Sequence, residues 1–415
     1  MKDFRQDITD ISSKISKIGA DPTGGMTRLL YTKEWVEAQK ALKQIFETAG
    51  FAASHDATGN LSARLTGSKY PEQTILTGSH IDTVVNGGNL DGQFGIEASF
   101  LAANYLKDTY GPPLRSLEVI ALAEEEGSRF PYVFWGSKNI FGQARRQDVE
   151  NIADAKGVNF VDAMHSAGFD FRPEDQPVRK DIAAFVEIHI EQGKVLETEG
   201  KTIGVVTSIV GQRRYDIRLK GESNHAGTTP MGYRRDTVYA FSRICTESIA
   251  KARAEGDPLV LTFGKVEPKP NTVNVVPGFT HFTMDCRHTD AAALDRFTLE
   301  IEADMRRIAA EMGIEIEIDR WMDEKPIPMN KQLVECVSHL CEKHKVNYRL
   351  IHSGAGHDSQ IFSPHVPTVM IFVPSIDGIS HNPAEKTHLD DLAEGVKVLA
   401  HTLYQLAWTE EGGSL

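Results

Sequence analysis

The sequence has little cysteine and no long apolar run, and each shortage excludes a class of protein. Only four cysteines occur among 415 residues, and their spacing matches no usual zinc-binding pattern. We therefore expect free thiols in a reducing compartment rather than a disulfide framework. No window approaches the ~20 apolar residues that a membrane-spanning helix requires, and the acidic N-terminal segment is unlike a secretory signal peptide. We expect a cytoplasmic protein with no membrane partner.

Positive charge is also scarce. The formal net charge is −13, and no basic stripe of the kind that binds nucleic acid is present. An anionic substrate would have to be attracted by local arginines, because the overall field repels it. The hydrophobic content of 40% and the charged content of 25% are ordinary for a globular protein. At 415 residues the chain exceeds one typical domain, and we expect two or three.

The first third of the chain alternates strand and helix patterns. We predict a strand over 74–79, a helix over 93–106 and a strand over 117–123, and this order indicates an α/β fold. Comparable patterns return near the C-terminus. We predict one α/β domain with a mixed central sheet flanked by helices, formed by residues 1–210 and 327–415.

Residues 211–326 show a different pattern. We predict strands over 215–222, 259–267, 279–288 and 314–321, with helices over 236–254 and 290–312. The order βαββαβ is that of a ferredoxin-like α+β unit. The sequence therefore predicts a second domain inserted into the first. The polar stretch 142–182 gives no clear element.

Metal-binding side chains cluster near the ends of the predicted strands. The segments that carry them are Ser79-His80-Ile81-Asp82, Leu90-Asp91-Gly92 and Ala123-Glu124-Glu125-Glu126-Gly127. Ligands of open α/β sheets gather beyond the carboxyl ends of strands. An imidazole at His80, a carboxylate at Asp91 that can bridge two ions, and a glutamate suit a two-metal hydrolytic site. Asp82 could hold the second ring nitrogen of His80, and a second glutamate of the run could act as general base.

Two further histidines could complete the ligand set. His189 lies on a strand of period two, where Phe185 and Glu187 share its face, and His381 lies in a loop after the strand predicted at 368–373. A lone histidine is usually structural, and a run of glutamates usually starts a solvated helix. The coincidence of all these groups at strand ends favours a metal centre.

Eight segments, spread over nearly the whole chain, carry longer motifs. They are GSHIDTV (78–84), GGNLDGQFG (87–95), EEEGSRF (124–130), HIEQG (189–193), NHAGTTPM (224–231), PNTVNVVPG (270–278), SGAGHD (353–358) and ISHNPAE (379–385). Together they resemble the M20 metallopeptidase-like family, in its amidase/carbamoylase branch. The resemblance implies an aminopeptidase-like catalytic domain and makes the inserted domain a lid or dimerisation domain.

The resemblance also implies roles for single residues. The implied metal ligands are His80, Asp91, Glu126, His189 and His381. They would hold two divalent ions, bridged by Asp91, and manganese is the metal that the family favours, with zinc or cobalt as substitutes. Glu125 would be the general base, and Asp82 would orient His80.

The activity that the resemblance implies is hydrolysis of a ureido C–N bond. The implied substrate is the small ureido acid allantoate, and the products would be ureidoglycine, ammonia and carbon dioxide, in purine nitrogen recovery. N-carbamoyl-L-amino acids and ureidoglycolate are alternative substrates for the same kind of centre. An aminopeptidase fits His189 and Arg287 less well. A non-catalytic scaffold is a rival from another class, which an intact Glu125 beside a full ligand set disfavours.

Charge that develops on the substrate oxygen needs a hydrogen-bond donor, and His225 is the expected one. Because His225 lies in the predicted inserted domain, it would reach the centre by closure or from a second subunit. The resemblance favours a homodimer with His225 donated across subunits.

Five residues are expected to contact the substrate: Gln192, Arg214, Asn274, Arg287 and Gly356. Of these, Arg214 and Gly356 are implied by the resemblance alone. The guanidinium of Arg287 can bind a carboxylate through two hydrogen bonds. The alternative for Arg287 is a surface ion pair with Asp285 or Asp290.

Overall fold

The computed structural model describes residues 2–173, 175 and 177–414. The outermost residues of the predicted domains, Met1 and Leu415, lie outside the described residues. The chain forms two compact units, one of Met1–Thr207 with Met329–Leu415 and the other of Ser208–Pro328. These boundaries lie within three residues of the predicted ones at 210/211 and 326/327.

Helices and strands alternate along the N-terminal half. The elements are α1 (Arg5–Ile15), α2 (Lys33–Thr48), β1 (Ala52–His55), β2 (Leu61–Leu65), β3 (Tyr70–His80), α3 (Gln93–Tyr110), β4 (Arg115–Leu122), α4 (Trp135–Ile140), α5 (Arg146–Val149), α6 (Phe160–Ser166), β5 (Ile182–Ile190), α7 (Val195–Thr198) and β6 (Ile203–Ile209). The stretch 142–182, which the sequence left unassigned, thus contains α5 and α6. Phe160 and Met164 bury the apolar face of α6.

The rest of the chain completes both units. The middle elements are β7 (Gly211–Lys220), β8 (Asn224–His225), α8 (Thr237–Glu255), β9 (Val260–Thr262), β10 (Val266–Lys269), β11 (Val275–Val276), β12 (Phe279–His288), α9 (Ala291–Glu311), β13 (Glu315–Glu324) and β14 (Ile327–Pro328). The last elements are α10 (Lys331–His344), β15 (Tyr348–Ser353), α11 (Ser359–Phe362), β16 (Thr368–Val373) and α12 (Leu389–Ala407). Short 3₁₀ helices occur at Met231–Tyr233, Ile376–Gly378 and Glu411–Ser414.

A mixed sheet forms the centre of the first unit. Its order is β1-β2-β4-β3-β5-β16-β6, with β15 also paired to β6. Within it β4, β3, β5 and β16 are parallel neighbours, so their carboxyl ends meet at one edge. Both β4 and β16 are buried along their whole length, as expected for parallel strands covered on both faces.

Successive side chains of a strand pack on opposite faces of this sheet. Ile75 joins the large core that includes α1, α2, α3 and α12, whereas its neighbour Leu76 joins a smaller cluster with Phe185 and Phe362 on the other face. The predicted α/β class with a mixed central sheet flanked by helices is confirmed. Among the described helices, none is both long enough and apolar enough to span a bilayer.

The second unit has its own antiparallel sheet and core. The sheet order is β10-β12-β7-β13, with β9 also paired to β12, and β14 pairs with the end of β6. One face of β7, carrying Tyr215, Ile217 and Leu219, is buried with residues of α8 and α9. Around this sheet the chain runs in the order β7, α8, β9, β10, β12, α9 and β13, with the short ladder of β8 and β11 outside it.

The single strand predicted at 259–267 is wrong, because the structure divides it into β9 and β10. Both halves pair with β12. Between them the main-chain N–H of Lys265 donates to the side-chain hydroxyl of Thr283 at 3.1 Å. A side chain thus replaces a ladder partner there, which hydrophobic alternation does not reveal.

Candidate metal centre

The four parallel strands bring the predicted ligands of the first unit to one edge. His80 is the last residue of β3, Glu126 follows β4, His189 is next to last in β5, and His381 lies in the loop after β16. Asp91 lies two residues before the start of α3. All five side chains come together, although they are up to 301 residues apart in sequence.

The carboxylate of Asp91 lies at the middle of the group. Its Oδ1 is 3.4 Å from Nε2 of His80 and 3.2 Å from Nε2 of His189. Its Oδ2 is 3.2 Å from Nε2 of His381, which in turn is 3.4 Å from Oε1 of Glu126. We call His80, His189 and Asp91 the first half-site, and Asp91, Glu126 and His381 the second half-site. Two ligand atoms bound to one tetrahedral ion at ~2.0–2.1 Å lie roughly 3.3 Å apart, which matches these four distances. The potential ligand atoms of each half-site all lie within 4.8 Å of one another.

Burial makes the group electrostatically costly without a cation. It raises the pKa of Glu126 to about 7, and repulsion from Asp91 acts in the same direction. Burial also raises the pKa of Asp91, but hydrogen bonds with His189 and His381 outweigh it and hold that pKa well below its usual range. Oε1 of Glu126 is buried without a hydrogen-bond partner. Imidazoles and carboxylates in this arrangement fit divalent cations.

Local backbone geometry at the centre is unusual. Glu124, Gln192 and His381 have φ values of 54°, 57° and 54°, a left-handed conformation that costs free energy in residues other than glycine. Gly92 has a φ of +65°, and a Cβ there would lie 2.5 Å from the ring of His80. The loops therefore hold their side chains in conformations that the surrounding packing has to enforce.

Asp82 contacts a different group from the one predicted. Nδ1 of His80 lies 3.0 Å from the main-chain carbonyl oxygen of Asp82, and the carboxylate is 3.8 Å away. The carboxylate instead accepts the main-chain N–H groups of Glu125 at 3.0 Å and Glu126 at 3.1 Å through Oδ2. Asp82 thus holds the glutamate loop with its side chain and the histidine with its backbone. The main-chain N–H groups of Glu125 and Glu126 bind this carboxylate in place of the ring nitrogen of His80. The spacing of the residues in the sequence does not show that preference.

Glu125, the predicted general base, lies beside the first half-site. Its Oε2 is 4.0 Å from Nε2 of His80, and it shares a potential metal-binding group with His80 and Glu126. Burial raises the pKa of Glu125 well above its usual range, while the charge of His80 opposes this. A nearby cation would lower that pKa again, toward the neutral range in which a general base is most effective.

Gln192 reaches the bridging carboxylate in this structure. Its Nε2 donates to Oδ2 of Asp91 at 2.7 Å. The hydroxyl oxygen of Ser380 lies 2.9 Å from the same oxygen of Asp91 and 2.8 Å from Oε2 of Glu385. Oε1 of Glu385 accepts the main-chain N–H groups of Leu90 at 2.9 Å and Asp91 at 3.1 Å. Sequence reasoning missed Ser380 and Glu385, although both belong to the motif that contains His381.

Gly356 lies in the loop before α11, next to His357. The ring of His357 packs edge-on against that of His189, with centroids 4.6 Å apart. A Cβ at Gly356 would lie 2.8 Å from Oε1 of Gln360 and 3.3 Å from Phe134. Of the predicted substrate contacts, Gln192 and Gly356 therefore lie in the first unit, near the centre. His357 was also missed, although it stands in the same motif as Gly356.

The second unit brings His225 and Asn274 together. β8 and β11 form a two-residue ladder, and the N–H of Ala226 donates to the carbonyl of Asn274 at 3.0 Å. Nδ1 of His225 accepts the N–H groups of Gly227 at 3.0 Å and Thr228 at 3.2 Å. In the neutral ring the proton is therefore on Nε2, and that nitrogen is a donor.

Arg214 and Arg287 share one carboxylate in the second unit. Nε of Arg214 donates to Asp285 at 3.0 Å, and Nε of Arg287 donates to the same side chain at 2.9 Å. Met284 and Cys286, on the other face of β12, are buried. The ion pair that was the alternative for Arg287 is thus present, and Asp285 orients both guanidinium groups on one face of the sheet.

Comparison with known proteins gives consistent matches over the whole length. A protein from Escherichia coli (strain K12) named allantoate amidohydrolase is 65% identical over 405 residues, covering 98% of both chains. One of the same name from Bacillus subtilis (strain 168) is 44% identical, covering 97% of this chain and 98% of that one. A crystal structure of an amidase of the hydantoinase/carbamoylase family from Burkholderia multivorans is 32% identical, with a TM-score of 0.91 and 97% coverage of each chain.

The family model described as peptidase family M20/M25/M40 matches residues 76–405. The match includes all the residues of both half-sites and the whole second unit. The resemblance deduced from the motifs is confirmed, and the chain belongs to peptidase family M20/M25/M40.

Proposed function

We propose that this chain hydrolyses a ureido C–N bond of allantoate with two divalent ions, Mn²⁺ before Zn²⁺ or Co²⁺, giving ureidoglycine, ammonia and carbon dioxide. The observation that carries the proposal is the position of Asp91. Its Oδ1 faces Nε2 of His80 in the first half-site, and its Oδ2 faces Nε2 of His381 in the second half-site. The 65% identity with a protein named allantoate amidohydrolase supports the choice of substrate. Recovery of nitrogen from purines is the corresponding role.

The residues of the centre suit this chemistry. Bound divalent ions would supply the Lewis acidity that a resonance-stabilised ureido carbon needs before water can attack it. Glu125 takes the proton of the attacking water as the C–O bond forms, and returns it to the leaving nitrogen as the C–N bond of the tetrahedral adduct breaks and ammonia leaves. The carbamate that remains loses carbon dioxide with cleavage of its own C–N bond, which frees the amine of ureidoglycine. Asp82 keeps Glu125 and Glu126 in place through their main-chain N–H groups.

We place His225 as the donor to the developing oxyanion, supplied by the second subunit of a homodimer. Support comes from its tautomer, because the contacts at Nδ1 leave Nε2–H to donate. Apolar side chains of the same part of the second unit are strongly exposed: Met231, six residues after His225, is 76% accessible, and Val273, next to the Asn274 that binds Ala226, is fully accessible, as expected of a surface that a partner covers. Mixing Glu125→Ala and His225→Ala chains should restore part of the activity. No recovery despite proven subunit exchange would refute the sharing.

The substrate carboxylate is assigned to Arg287, with Arg214 beside it, and the ureido group to Gln192, Asn274 and Gly356. The planar guanidinium matches a carboxylate with two parallel hydrogen bonds. Gln192 would exchange its present bond to Asp91 for one to the substrate amide.

The deciding experiment compares substrates after removal and return of metal. The purified protein is treated with a chelator, reloaded with Mn²⁺, and assayed for ammonia release from allantoate and from ureidoglycolate, and for release of the amino acid from N-carbamoyl-L-amino acids. We expect turnover of allantoate that depends on the added metal. The rival is an N-carbamoyl-L-amino acid hydrolase, favoured by the match to the hydantoinase/carbamoylase amidase. Efficient turnover of carbamoyl amino acids with none of allantoate would establish the rival instead.

A further inference from the structure

Glu187 is a fully buried carboxylate on β5, two residues before the ligand His189. Its Oε1 accepts the hydroxyl of Ser79 at 3.0 Å. Its Oε2 accepts the main-chain N–H of Ser359 at 3.0 Å and the hydroxyl of Ser359 at 2.6 Å. Ser79 directly precedes the ligand His80, so one carboxylate links the two strands that carry the first half-site.

Among the residues that the structure describes, the contacts of Glu187 are hydrogen bonds from Ser79 and Ser359, with no lysine or arginine against it, and its charge acts on the imidazole of His189. Burying a carboxylate costs free energy unless hydrogen bonds compensate for it, and an apolar residue would fill a strand position in a core at lower cost. Compare Glu118, buried on the neighbouring strand β4, which contacts Arg64 at 2.9 Å and also contacts Arg179. Stability alone therefore gives no reason for a carboxylate at Glu187.

The backbone shows what the carboxylate does. The ladder between β3 and β5 pairs Ile75 with Ala184 and ends at Thr77 with Val186. Beyond that point the two strand ends have no main-chain pairing, and the bond from Ser79 to Glu187 is the link between them. The start of α3 approaches both strands here, since a Cβ on Gly95 would lie 2.5 Å from the carbonyl oxygen of Ile188. The first turn of α3 therefore lies beside the ends of β3 and β5, where their main-chain pairing has stopped.

We propose that Glu187 is a positioning residue for the metal centre, whose carboxylate sets the separation of the ends of β3 and β5 and thereby of His80 and His189. Ser359 holds the second oxygen of Glu187 and fixes the direction of the carboxylate. The inference rests on the proposed two-metal centre and is independent of which ureido acid is hydrolysed. The metal affinity of the first half-site would then depend on a residue that contacts neither ion nor substrate.

The test is a titration of the metal-free full chain with Mn²⁺ by calorimetry, for the native protein and for Glu187→Gln. The amide keeps the size of the side chain but carries no charge and has a single acceptor oxygen, so Ser79 and Ser359 can no longer both donate to a charged acceptor and these charge-assisted hydrogen bonds are weakened or reversed. Mutations of residues that support metal ligands typically weaken metal binding by about 10–100-fold. We expect a loss of that size for one ion, and a change of less than about threefold for the other. Activity should recover as Mn²⁺ is raised.

Two further variants separate positioning from simple loss of stability. Glu118→Gln removes a buried carboxylate from the same sheet, and should lower the melting temperature while leaving both Mn²⁺ affinities unchanged. Ser79→Ala deletes only the link between the strands, so it reports on the inference even if Glu187→Gln fails to fold. Equal affinities in native protein, Glu187→Gln and Ser79→Ala would overturn the proposal, as would an equal loss in Glu118→Gln. Inactivity of the native protein toward allantoate, together with the expected differences between the Mn²⁺ titrations of the variants, would count against the proposed substrate only.

Discussion

Oδ2 of Asp82 accepts the main-chain N–H of Glu125 at 3.0 Å. The bond makes Asp82 a support for Glu125, the proposed general base, in addition to the contact between its carbonyl oxygen and the ring of His80. The same oxygen also accepts the N–H of Glu126. A single buried carboxylate therefore fixes the position of two functional glutamates.

Replacing Asp82 with alanine should lower kcat and metal affinity by about 10–100-fold, because the loop that carries Glu125 and Glu126 loses its acceptor. Asp236→Ala is a matched control. Asp236 also accepts two main-chain N–H groups through one oxygen, those of Val238 at 3.0 Å and Tyr239 at 3.0 Å, at the start of a helix that carries none of the residues assigned to the centre. Steady-state kinetics and Mn²⁺ titration check both variants. Equal effects at Asp82 and Asp236 would contradict a specific role.

Glu125→Gln should abolish most of the turnover while keeping the metal. General acid–base catalysis contributes about 10²–10⁴-fold, and the amide cannot accept the proton. The metal content, measured by elemental analysis, should stay at the native value, because the amide keeps the size of the side chain and the groups formed by His80, His189 and Asp91 and by Asp91, Glu126 and His381 do not include Glu125. Ammonia release at the native rate would show that Glu125 is not the base.

Gly92→Ala tests the close packing behind His80. The new Cβ would lie 2.5 Å from the imidazole, and overpacking of this kind costs about 1–3 kcal/mol. We expect a lower melting temperature together with weaker Mn²⁺ binding, since His80 has to move. Gly200→Ala is the control, because Gly200 has a similar φ of +61° but no atom within 4 Å of the added Cβ. Weakened metal binding in both variants would trace the effect to backbone strain.

Acid stability should depend on Asp181. Burial raises the pKa of Asp181, but hydrogen bonds from Arg179 and Thr74 outweigh it and bring the pKa to about 2. In the unfolded chain an aspartate titrates near ~3.9. Its stabilising contribution is therefore present above about pH 4 and is lost as the pH falls toward 2. Asp181→Asn should lower the free energy of unfolding at neutral pH and weaken its dependence on pH between about 4 and 2. Urea unfolding across this range measures the slope, and an unchanged slope would contradict the assignment.

Much of the site was predictable because the ligands follow strand ends. His80, His189 and His381 stand at or after apolar strands, and the carboxyl ends of parallel strands meet at one edge of a sheet. The choice between Glu125 and Glu126 came from motif resemblance, since adjacent glutamates have the same pattern. Secondary-structure patterns also predicted a second domain over 211–326, where the chain forms the compact unit Ser208–Pro328.

The residues that support the ligands were not predictable in this way. Glu385 binds the N–H of Leu90 from 295 positions away, and Glu187 binds Ser359 from 172 positions away. Contacts across such distances leave no local periodicity. One signal was available for Glu187, because an acidic side chain on the same face of a strand as a ligand histidine is unusual. The preference of Asp82 for main-chain N–H groups depends on the left-handed turn at Glu124, which propensity does not indicate.

The alternation of side chains along the four parallel strands limits which insertions and deletions the gene can tolerate. Side chains of a strand alternate between faces, so deleting one codon between Phe185 and His189 would turn the histidine away from Asp91. The stretch between α4 and β5 lies outside the strand. A change in its length would therefore not alter which face of β5 His189 occupies. Length variation among natural variants should therefore concentrate in the connection and be absent from the last residues of β3 and β5.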